Sequence, residues 1–202
     1  MQPKLIIHGG AGSSLKGKGG VEVVRRSLYV VIEEVYPLLV AGASAVDAVV
    51  RGCQLLEDDP RFNAGTGSVL QSDGQIRMSA ALMNGTEQRF SGVINVSRVQ
   101  HPINLAQNLQ SSADRVLSDY GAGELLRELN IPSYDALTEL RLQEWILERQ
   151  ENFDKKMASV VAEQELVESS NAGRGTIGVV ALDSQGNLAA GTSTGGKGFE
   201  LK

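Results

Sequence analysis

Two short apolar runs near the end of the chain restrict the fold more than any other feature. Residues 176–183 (TIGVVALD) and 188–194 (LAAGTST) are separated by a four-residue turn, residues 184–187. Two such runs around a turn signal are typical of a β-hairpin. Because apolar residues fall on both faces of the hairpin, we expect both faces to be covered. The pattern therefore predicts a hairpin at the centre of a sheet.

The remaining segments predict strands and helices in separate groups. Residues 4–7 form a short apolar run that ends in a glycine loop, which predicts a buried strand. The predicted helices cover residues 21–40, a segment that begins at Ser44 with Asp47 as a capping partner, a stretch opened by Pro102, and residues 124–129 and 135–153. A three-stranded meander is predicted over residues 68–71, 76–83 and 89–99. This grouping favours a layered α+β sandwich over an alternating βαβ sheet.

Composition excludes several classes of protein. The chain has 202 residues, of which 42% are hydrophobic, and this is enough for one domain with a core. A net charge of −5 argues against nucleic-acid binding. The single cysteine, Cys53, excludes an intrachain disulfide framework and a cysteine metal cluster. With no signal-peptide pattern and no apolar stretch long enough to span a bilayer, we expect a soluble, cytoplasmic protein without a membrane partner.

The junction before the hairpin is the first candidate for chemistry. Residues 151–171 are polar and have the composition of a linker, and they lead to the Gly175–Thr176 bond at the start of the strand. A threonine hydroxyl can attack the preceding carbonyl if the peptide is strained, and glycine tolerates such strain. Cleavage would leave Thr176 with a free α-amine of pKa about 7.7–8.0, a base beside its own hydroxyl. Composition alone favours the simpler interpretation, a loop that enters a strand.

Other catalytic patterns are weak or absent. The two histidines, His8 and His101, belong to no G-x-S-x-G or H-E-x-x-H motif, and His8 at a strand end is more typical of a structural residue. Residues 191–197 (GTSTGGK) fit the G-x-x-x-x-G-K pattern of a phosphate-binding loop. However, Gly198 stands where that loop needs a hydroxyl for magnesium, so nucleotide binding is disfavoured.

Four separated stretches of the sequence favour the self-cleavage interpretation over that of a simple loop. Residues 7–12 (IHGGAG), 56–67 (LEDDPRFNAGTG), 175–183 (GTIGVVALD) and 186–196 (GNLAAGTSTGG) resemble, in order and separation, the plant-type L-asparaginase/isoaspartyl peptidase family of N-terminal-nucleophile hydrolases. The resemblance implies a four-layer αββα sandwich. It also implies hydrolysis of L-asparagine and β-aspartyl dipeptides after self-cleavage, with no cofactor for catalysis and a small molecule or dipeptide as substrate.

The resemblance also implies roles for individual residues. Thr176 would be the nucleophile, released by cleavage after Gly175, and its amine would be the base. Thr194 would orient Thr176, and Asn63 would be a neighbour of Thr176. Residues 192–194 would form a hydroxyl network. A structural sodium ion would be bound by main-chain carbonyls, a hard-cation ligand type, of Leu56, Glu57, Asp59, Phe62, Ala64 and Thr66.

The same resemblance divides the chain into two parts. Residues 1–175 would form the α-subunit part, with a linker at about 151–175, and residues 176–202 would begin the β-subunit part of an (αβ)2 heterotetramer. The family's substrate clamp and oxyanion hole lie beyond Lys202, so the sandwich would be incomplete and we expect this chain alone to be inactive. Departures from the family pattern occur at Ser79 and Asn84, where Asp is common, and at Arg174, where His is frequent.

Two alternatives follow from this sequence. A glycosylasparaginase-like amidohydrolase is disfavoured because the chain shows no signal peptide and no paired cysteines. An inactive or interaction-only fragment of the same family would remain one uncut chain.

Overall fold

The computed structural model describes residues 1–11, 19–150 and 175–196. Strands and helices follow one another as β1 (Lys4–His8), α1 (Val21–Val40), α2 (Ala45–Asp58), β2 (Met78–Asn84), β3 (Arg89–Val96), α3 (Pro102–Asn108), β4 (Val116–Ser118), α4 (Asp119–Glu128), α5 (Glu139–Gln150), β5 (Ile177–Leu182) and β6 (Leu188–Thr194). Short 3-10 turns cover Gly65–Gly67 and Leu109–Ser111.

The strands of these described ranges form one six-stranded sheet in the order β1-β5-β6-β2-β3-β4. All neighbours pair antiparallel except β3 and β4, which are parallel. The predicted hairpin, β5–β6, lies between β1 and β2, and its central position is confirmed. The last strands in sequence therefore lie inside the sheet that earlier segments build.

Helix α2 covers one face of the hairpin. It begins after Ser44, whose hydroxyl accepts a hydrogen bond from the Asp47 backbone N–H at 3.1 Å, as the capping pattern predicts. Two glycines allow close packing of helix and strands. A Cβ on Gly52 would lie 3.1 Å from Val179, and a Cβ on Gly191 would lie 2.6 Å from Val49. Helix α1 packs on α2, and α3 packs on β2 and β3.

The opposite face of the sheet is open within the described part of the chain. Register places Ile6, Val180, Ala190, Met83 and Phe90 in one row across five strands. Two side chains of this row are largely exposed, Ile6 at 68% and Phe90 at 52%. The expectation that both faces of the hairpin are covered is therefore wrong for the described residues, in which helices cover only one face.

Other sequence predictions hold in part. The helix over residues 21–40 is confirmed, and α3 begins at Pro102 as predicted. The meander has two strands instead of three, because residues 68–71 form a loop whose turn is closed by the Gln71 N–H and the Gln75 carbonyl at 2.9 Å. The predicted linker at residues 151–174 lies outside the described residues.

No helix in the described ranges combines the length and the apolar character needed to cross a bilayer.

Candidate active site

Thr176 and Thr194 face each other at the open end of the central hairpin. Ile177 pairs with Ser193, so Thr176, the residue before β5, lies opposite Thr194, the last residue of β6. The Thr176 hydroxyl donates a hydrogen bond to the Thr194 hydroxyl oxygen at 3.0 Å. Thr176 is exposed, and the branched Cβ of threonine restricts the directions its hydroxyl can take. The Thr176 hydroxyl is therefore held in a defined direction at the surface of the described residues.

The hydroxyls of residues 192–194 do not form a single network. Side chains alternate between the two faces of a strand, so Ser193 is buried on the helix side while Thr192 and Thr194 lie on the open side. Thr192 donates its hydroxyl to the Ile177 carbonyl at 2.9 Å, which engages it with the backbone. Of the three, Thr194 alone makes a hydrogen bond to Thr176 among the described residues.

Asn63 reaches the site through the backbone that follows β6. Its Nδ2 donates to the Gly196 carbonyl at 2.6 Å, and its own carbonyl accepts from the Gly195 N–H at 3.0 Å. The Gly196 N–H in turn donates to the Thr194 hydroxyl oxygen at 3.2 Å. Asn63 therefore holds the turn that orients Thr194. Asn63 is predicted to be a neighbour of Thr176, and among the described residues its hydrogen bonds connect it to Thr176 through Gly196 and Thr194.

The glycine loop after β1 lies against the Gly175–Thr176 peptide. Strand β1 pairs with β5, with His8 opposite Gly178, and this brings the following loop to the junction. Gly10 has a φ of 100°, a value that favours glycine. A Cβ on Gly10 would lie 2.6 Å from the Gly175 Cα and 3.2 Å from the Thr176 nitrogen, and a Cβ on Gly175 would clash with Gly10. Two motifs that are 163 or more residues apart in sequence thus meet without space for a methyl group.

The segment predicted to bind sodium turns tightly at the end of α2. Leu56 and Glu57 lie in the last turn of the helix, whose carbonyls lack helical partners. A Cβ on Gly65, which has a φ of 52°, would strike the Glu57 carbonyl oxygen, and a Cβ on Gly67 would strike the Phe62 carbonyl oxygen. These two candidate ligands thus point into the turn.

The oxygen donors of this turn are of a type that suits a hard cation. The carbonyls of Asp59 and Ala64 each accept one backbone hydrogen bond, from Phe62 and Gly67 at 3.1 Å, and each oxygen keeps a second lone pair. The Thr66 hydroxyl is hydrogen-bonded to the Tyr134 hydroxyl at 3.0 Å. The described residues hold no cluster of three or more His, Cys, Asp or Glu side chains for a metal, so any ion here would rely on backbone oxygens.

Two buried carboxylate side chains, to which the sequence analysis assigned no role, hold the hairpin from the helix side. Asp183, in the β5–β6 turn, accepts hydrogen bonds from the backbone of Ala45, Gln185 and Asn187. Burial raises the pKa of Asp183, but these bonds outweigh it and the pKa is lowered. The carboxyl of Glu57 accepts from the Ile103 N–H at 3.2 Å and lies 3.3 Å from His101 Nδ1.

Burial raises the pKa of Glu57, and its contacts with His101 and Ser193 offset part of that rise. Burial lowers the pKa of His101, and the adjacent Glu57 more than reverses this, so that its pKa is raised. The spacing of Val49, Cys53 and Glu57 at four-residue intervals places Glu57 on the apolar face of α2. That spacing was the signal that could have identified it.

Two departures from the family pattern have structural roles here. The Ser79 hydroxyl accepts from the Asn95 N–H at 3.3 Å, and Ser79 pairs with Thr194 in the sheet. Asn84 caps the β2–β3 turn, where its Oδ1 accepts from the Thr86 and Glu87 backbone at 3.1 and 3.3 Å.

Comparison with known proteins identifies the family of the chain. The sequence model of the family described as Asparaginase matches residues 1–202. The chain therefore belongs to the asparaginase family, as the resemblance predicted. It is 76% identical over 200 residues to a protein of Nostoc sp. named isoaspartyl peptidase/L-asparaginase, with 99% of this chain and 63% of that protein covered.

Two other relatives carry similar names. A Synechocystis sp. protein named isoaspartyl peptidase/L-asparaginase is 62% identical over 200 residues, with 99% of this chain and 60% of that protein covered. A Pyrococcus horikoshii protein named plant-type L-asparaginase is 35% identical over 205 residues, with 95% of this chain and 63% of that protein covered. The chain thus spans 60–63% of the length of these three relatives.

Proposed function

We propose that the full-length protein containing these residues cleaves its own Gly175–Thr176 bond and then hydrolyses β-aspartyl dipeptides and L-asparagine with Thr176 as nucleophile. The single observation that supports this most is the 3.0 Å hydrogen bond from the Thr176 hydroxyl to Thr194 at the exposed end of the central hairpin. Family membership and the names of the relatives favour this substrate class over the glycosylasparaginase alternative.

Self-cleavage begins with attack of the Thr176 hydroxyl oxygen on the Gly175 carbonyl carbon. The C–N bond breaks as the C–O bond forms, and the hydroxyl proton is transferred to the departing Thr176 nitrogen. Water then hydrolyses the ester, which leaves a carboxyl group on Gly175 and a free amine on Thr176. The close approach of Gly10 to Gly175 supports this step, because it restricts the peptide to a narrow range of conformations.

Substrate hydrolysis uses the same hydroxyl. The Thr176 amine accepts the hydroxyl proton as the oxygen attacks the β-carboxamide carbon of the substrate, and the proton then goes to the leaving ammonia or amino acid. Water hydrolyses the resulting aspartyl ester and regenerates the hydroxyl. Thr194, held by the Gly196 N–H, fixes the position of the Thr176 hydroxyl before the attack, when that hydroxyl still carries its proton. The substrate's α-carboxylate and α-amine would be bound by groups beyond Lys202.

The complete fold is proposed to be a four-layer αββα sandwich, divided at residue 175 into α- and β-subunit parts. The open face of the sheet supports this, because Ile6, Phe90 and Leu188 are more than half exposed on it and apolar sheet faces are normally packed. A second sheet formed by later residues would cover them. The (αβ)2 assembly and the cytoplasmic location rest on the resemblance alone and remain predictions.

A structural sodium ion is proposed at the turn after α2. The backbone oxygens of Leu56, Glu57, Asp59, Phe62, Ala64 and Thr66 would hold it, and its role would be to fix the turn that carries Asn63. No step of the reaction passes through the ion.

The test is turnover of L-asparagine and β-Asp-Leu by the full-length protein, measured as released ammonia and aspartate. Thr176→Ala should lose both self-cleavage and turnover, Thr176→Ser should retain part of each, and Thr194→Ala should slow both by at least about tenfold. Thr86→Ala is the matched control, because it removes an exposed threonine hydroxyl that bonds Asn187 at the other end of the hairpin. Wild-type turnover by Thr176→Ala would refute the mechanism, and an uncut, inactive wild-type protein would favour the interaction-only alternative.

A further inference from the structure

A buried polar cluster lies directly beneath the strand that carries Thr194. Ser193, Glu57 and His101 meet on the helix side of the sheet, and Ser193 and Glu57 are both 0% exposed. None of the three has a part in the chemistry of Thr176. They lie beside the site on the helix-covered face of the sheet, opposite to the face that carries Thr194.

The packing of α2 against β6 explains how Glu57 comes to this place. A Cβ on Gly191 would lie 2.6 Å from Val49 and 3.2 Å from the Cys53 sulfur, so α2 runs close along β6. One helical turn beyond Cys53 is Glu57, and two residues beyond Gly191 is Ser193. Four residues of a helix and two residues of a strand extend over similar distances. The side chains of Glu57 and Ser193 therefore come together.

The hydrogen bonding of the cluster is incomplete. Glu57 Oε2, His101 Nδ1 and the Ser193 hydroxyl are buried, and among the described residues none of them makes a hydrogen bond of regular geometry. Nevertheless, His101 Nδ1 lies 3.3 Å from Oε2, and Ser193 interacts with the same carboxyl. Apolar residues of similar volume would usually stabilise such a site as well or better, which points to a role in function.

We propose that Glu57 and Ser193 are positioning residues that fix the end of β6 from the helix side of the sheet, and so hold the Thr194 hydroxyl beside Thr176. Ser193 is bonded covalently to Thr194, and its side chain is the anchor on the helix side. Glu57 is itself held by the Ile103 N–H and His101, so it is a rigid partner for Ser193. Two groups thus fix the Thr176–Thr194 pair. One is the Gly196 N–H, which bonds the Thr194 hydroxyl, and the other is the Glu57 carboxyl on the helix side of the sheet.

The proposal rests on the proposed function, since it assigns a role in setting up the same nucleophile. Loss of the anchor would displace Thr194 slightly without removing any group that contacts substrate. We therefore expect a lower kcat and a slower self-cleavage, with KM almost unchanged. A residue that contributes only to folding would lower the melting temperature and leave kcat of the folded protein as it was.

The experiment compares Ser193→Ala, Glu57→Gln and the double variant in the full-length protein. Each single change should reduce kcat on β-Asp-Leu and the self-cleavage rate by about tenfold, a typical cost of misplacing a catalytic group, while KM changes less than about twofold. The double variant should be no slower than the slower single variant, because both changes remove one interaction.

Ser91→Ala is the control, a buried serine on the same face of the sheet whose hydroxyl donates to the Ala106 carbonyl at 2.5 Å. It should lower the melting temperature and leave kcat unchanged. If Glu57→Gln does not fold, Ser193→Ala decides, since it removes only one oxygen atom. Wild-type kcat and cleavage in Ser193→Ala would overturn the positioning role, as would fully additive losses. If Thr176→Ala, made in parallel, were active, the proposed function itself would fail.

Discussion

The two ends of the β5–β6 hairpin are held to helix α2 by carboxylates in opposite ways. At the turn end, both oxygens of Asp183 are engaged, with the Ala45 N–H at 3.2 Å and with the side chain and backbone of Asn187 at 3.0 and 2.9 Å. At the other end, Glu57 Oε2 and the Ser193 hydroxyl lack regular hydrogen bonds within the described residues. The turn end is thus fully hydrogen-bonded, whereas the threonine end, which carries Thr194, is incompletely hydrogen-bonded.

The ionisation of the two carboxylates reflects this difference. Hydrogen bonds to the charged form outweigh the effect of burial on Asp183 and lower its pKa, whereas burial dominates for Glu57 and raises its pKa. Helix α2 is therefore bonded at its start by the fully hydrogen-bonded carboxylate of Asp183, and at its end it carries the incompletely hydrogen-bonded carboxylate of Glu57. Changes at the turn end should accordingly affect mainly stability, and changes at the threonine end should affect mainly self-cleavage.

The largest effect is expected from Gly195→Ala at the threonine end. A Cβ there would lie 2.5 Å from Asn63 Oδ1 and 2.6 Å from the Ser68 Cβ, both of which are buried, so the turn after Thr194 must move. Self-cleavage should fall by about 100-fold or more, the scale of a misplacement near 1 Å, as followed by denaturing gels.

Gly186→Ala is its counterpart at the turn end. Gly186 has a φ of 90°, but a Cβ there would meet only Met1, at 3.9 Å. It should lose stability through backbone strain of about 1–2 kcal/mol and cleave at the wild-type rate. Equal cleavage defects in the two variants would remove the functional distinction between the ends.

Gly10→Ala should slow self-cleavage by at least about tenfold, because its Cβ would press on the Gly175–Thr176 peptide. Gly42→Ala provides a matched control, since its φ of 99° is nearly the same as the 100° of Gly10, and no atom of the described residues outside its own chain neighbours lies within 4 Å of the added Cβ. Both variants should lose similar stability in urea unfolding. A cleavage defect of equal size in Gly42→Ala would show that strain alone, and not contact with the junction, is responsible.

Asp183→Asn should destabilise the protein by about 1–2 kcal/mol at pH 7, since bonds to a charged acceptor are replaced by weaker ones. The pKa of Asp183 is lower in the folded protein, so its contribution is complete above the unfolded pKa of about 3.9 and disappears as pH falls through the folded value. Urea unfolding of both proteins from pH 7 to pH 3 should therefore show the difference shrinking below about pH 4. A difference that grows toward acid would contradict the assigned direction.

The smallest effect concerns the turn after α2. A bound sodium ion should raise the melting temperature by a few degrees in sodium chloride relative to a choline salt of equal ionic strength, through ligand linkage. Equal melting temperatures would argue against the ion and leave the turn supported by its own hydrogen bonds.

Local signals in the sequence predicted most of the architecture. The Ser44 cap, the helix over residues 21–40 and the central hairpin each depend on patterns within one segment, and all three are found. The strand predicted at residues 68–71 failed for a physical reason. Val69 and Leu70 are apolar and buried, as in a strand, but they pack in a loop without a ladder partner.

The candidate site was less accessible from sequence because its contacts are long-range. Asn63 bonds Gly196 across 133 residues, and Gly10 meets Gly175 only because β1 pairs with β5. The helical spacing of Val49, Cys53 and Glu57 places Glu57 on the apolar face of α2, but its position beside Ser193 depends on how closely α2 approaches β6, which no local pattern specifies. In contrast, strand alternation alone would have separated Ser193 from Thr192 and Thr194.

The most direct test of the account is the N-terminal sequence and intact mass of the full-length protein after incubation at neutral pH. Cleavage between Gly175 and Thr176 predicts two fragments, the second beginning with Thr176, and a single uncut chain for Thr176→Ala. A fragment that begins at any other residue, or an active wild-type protein that stays in one piece, would contradict the assignment of Thr176 as the released nucleophile.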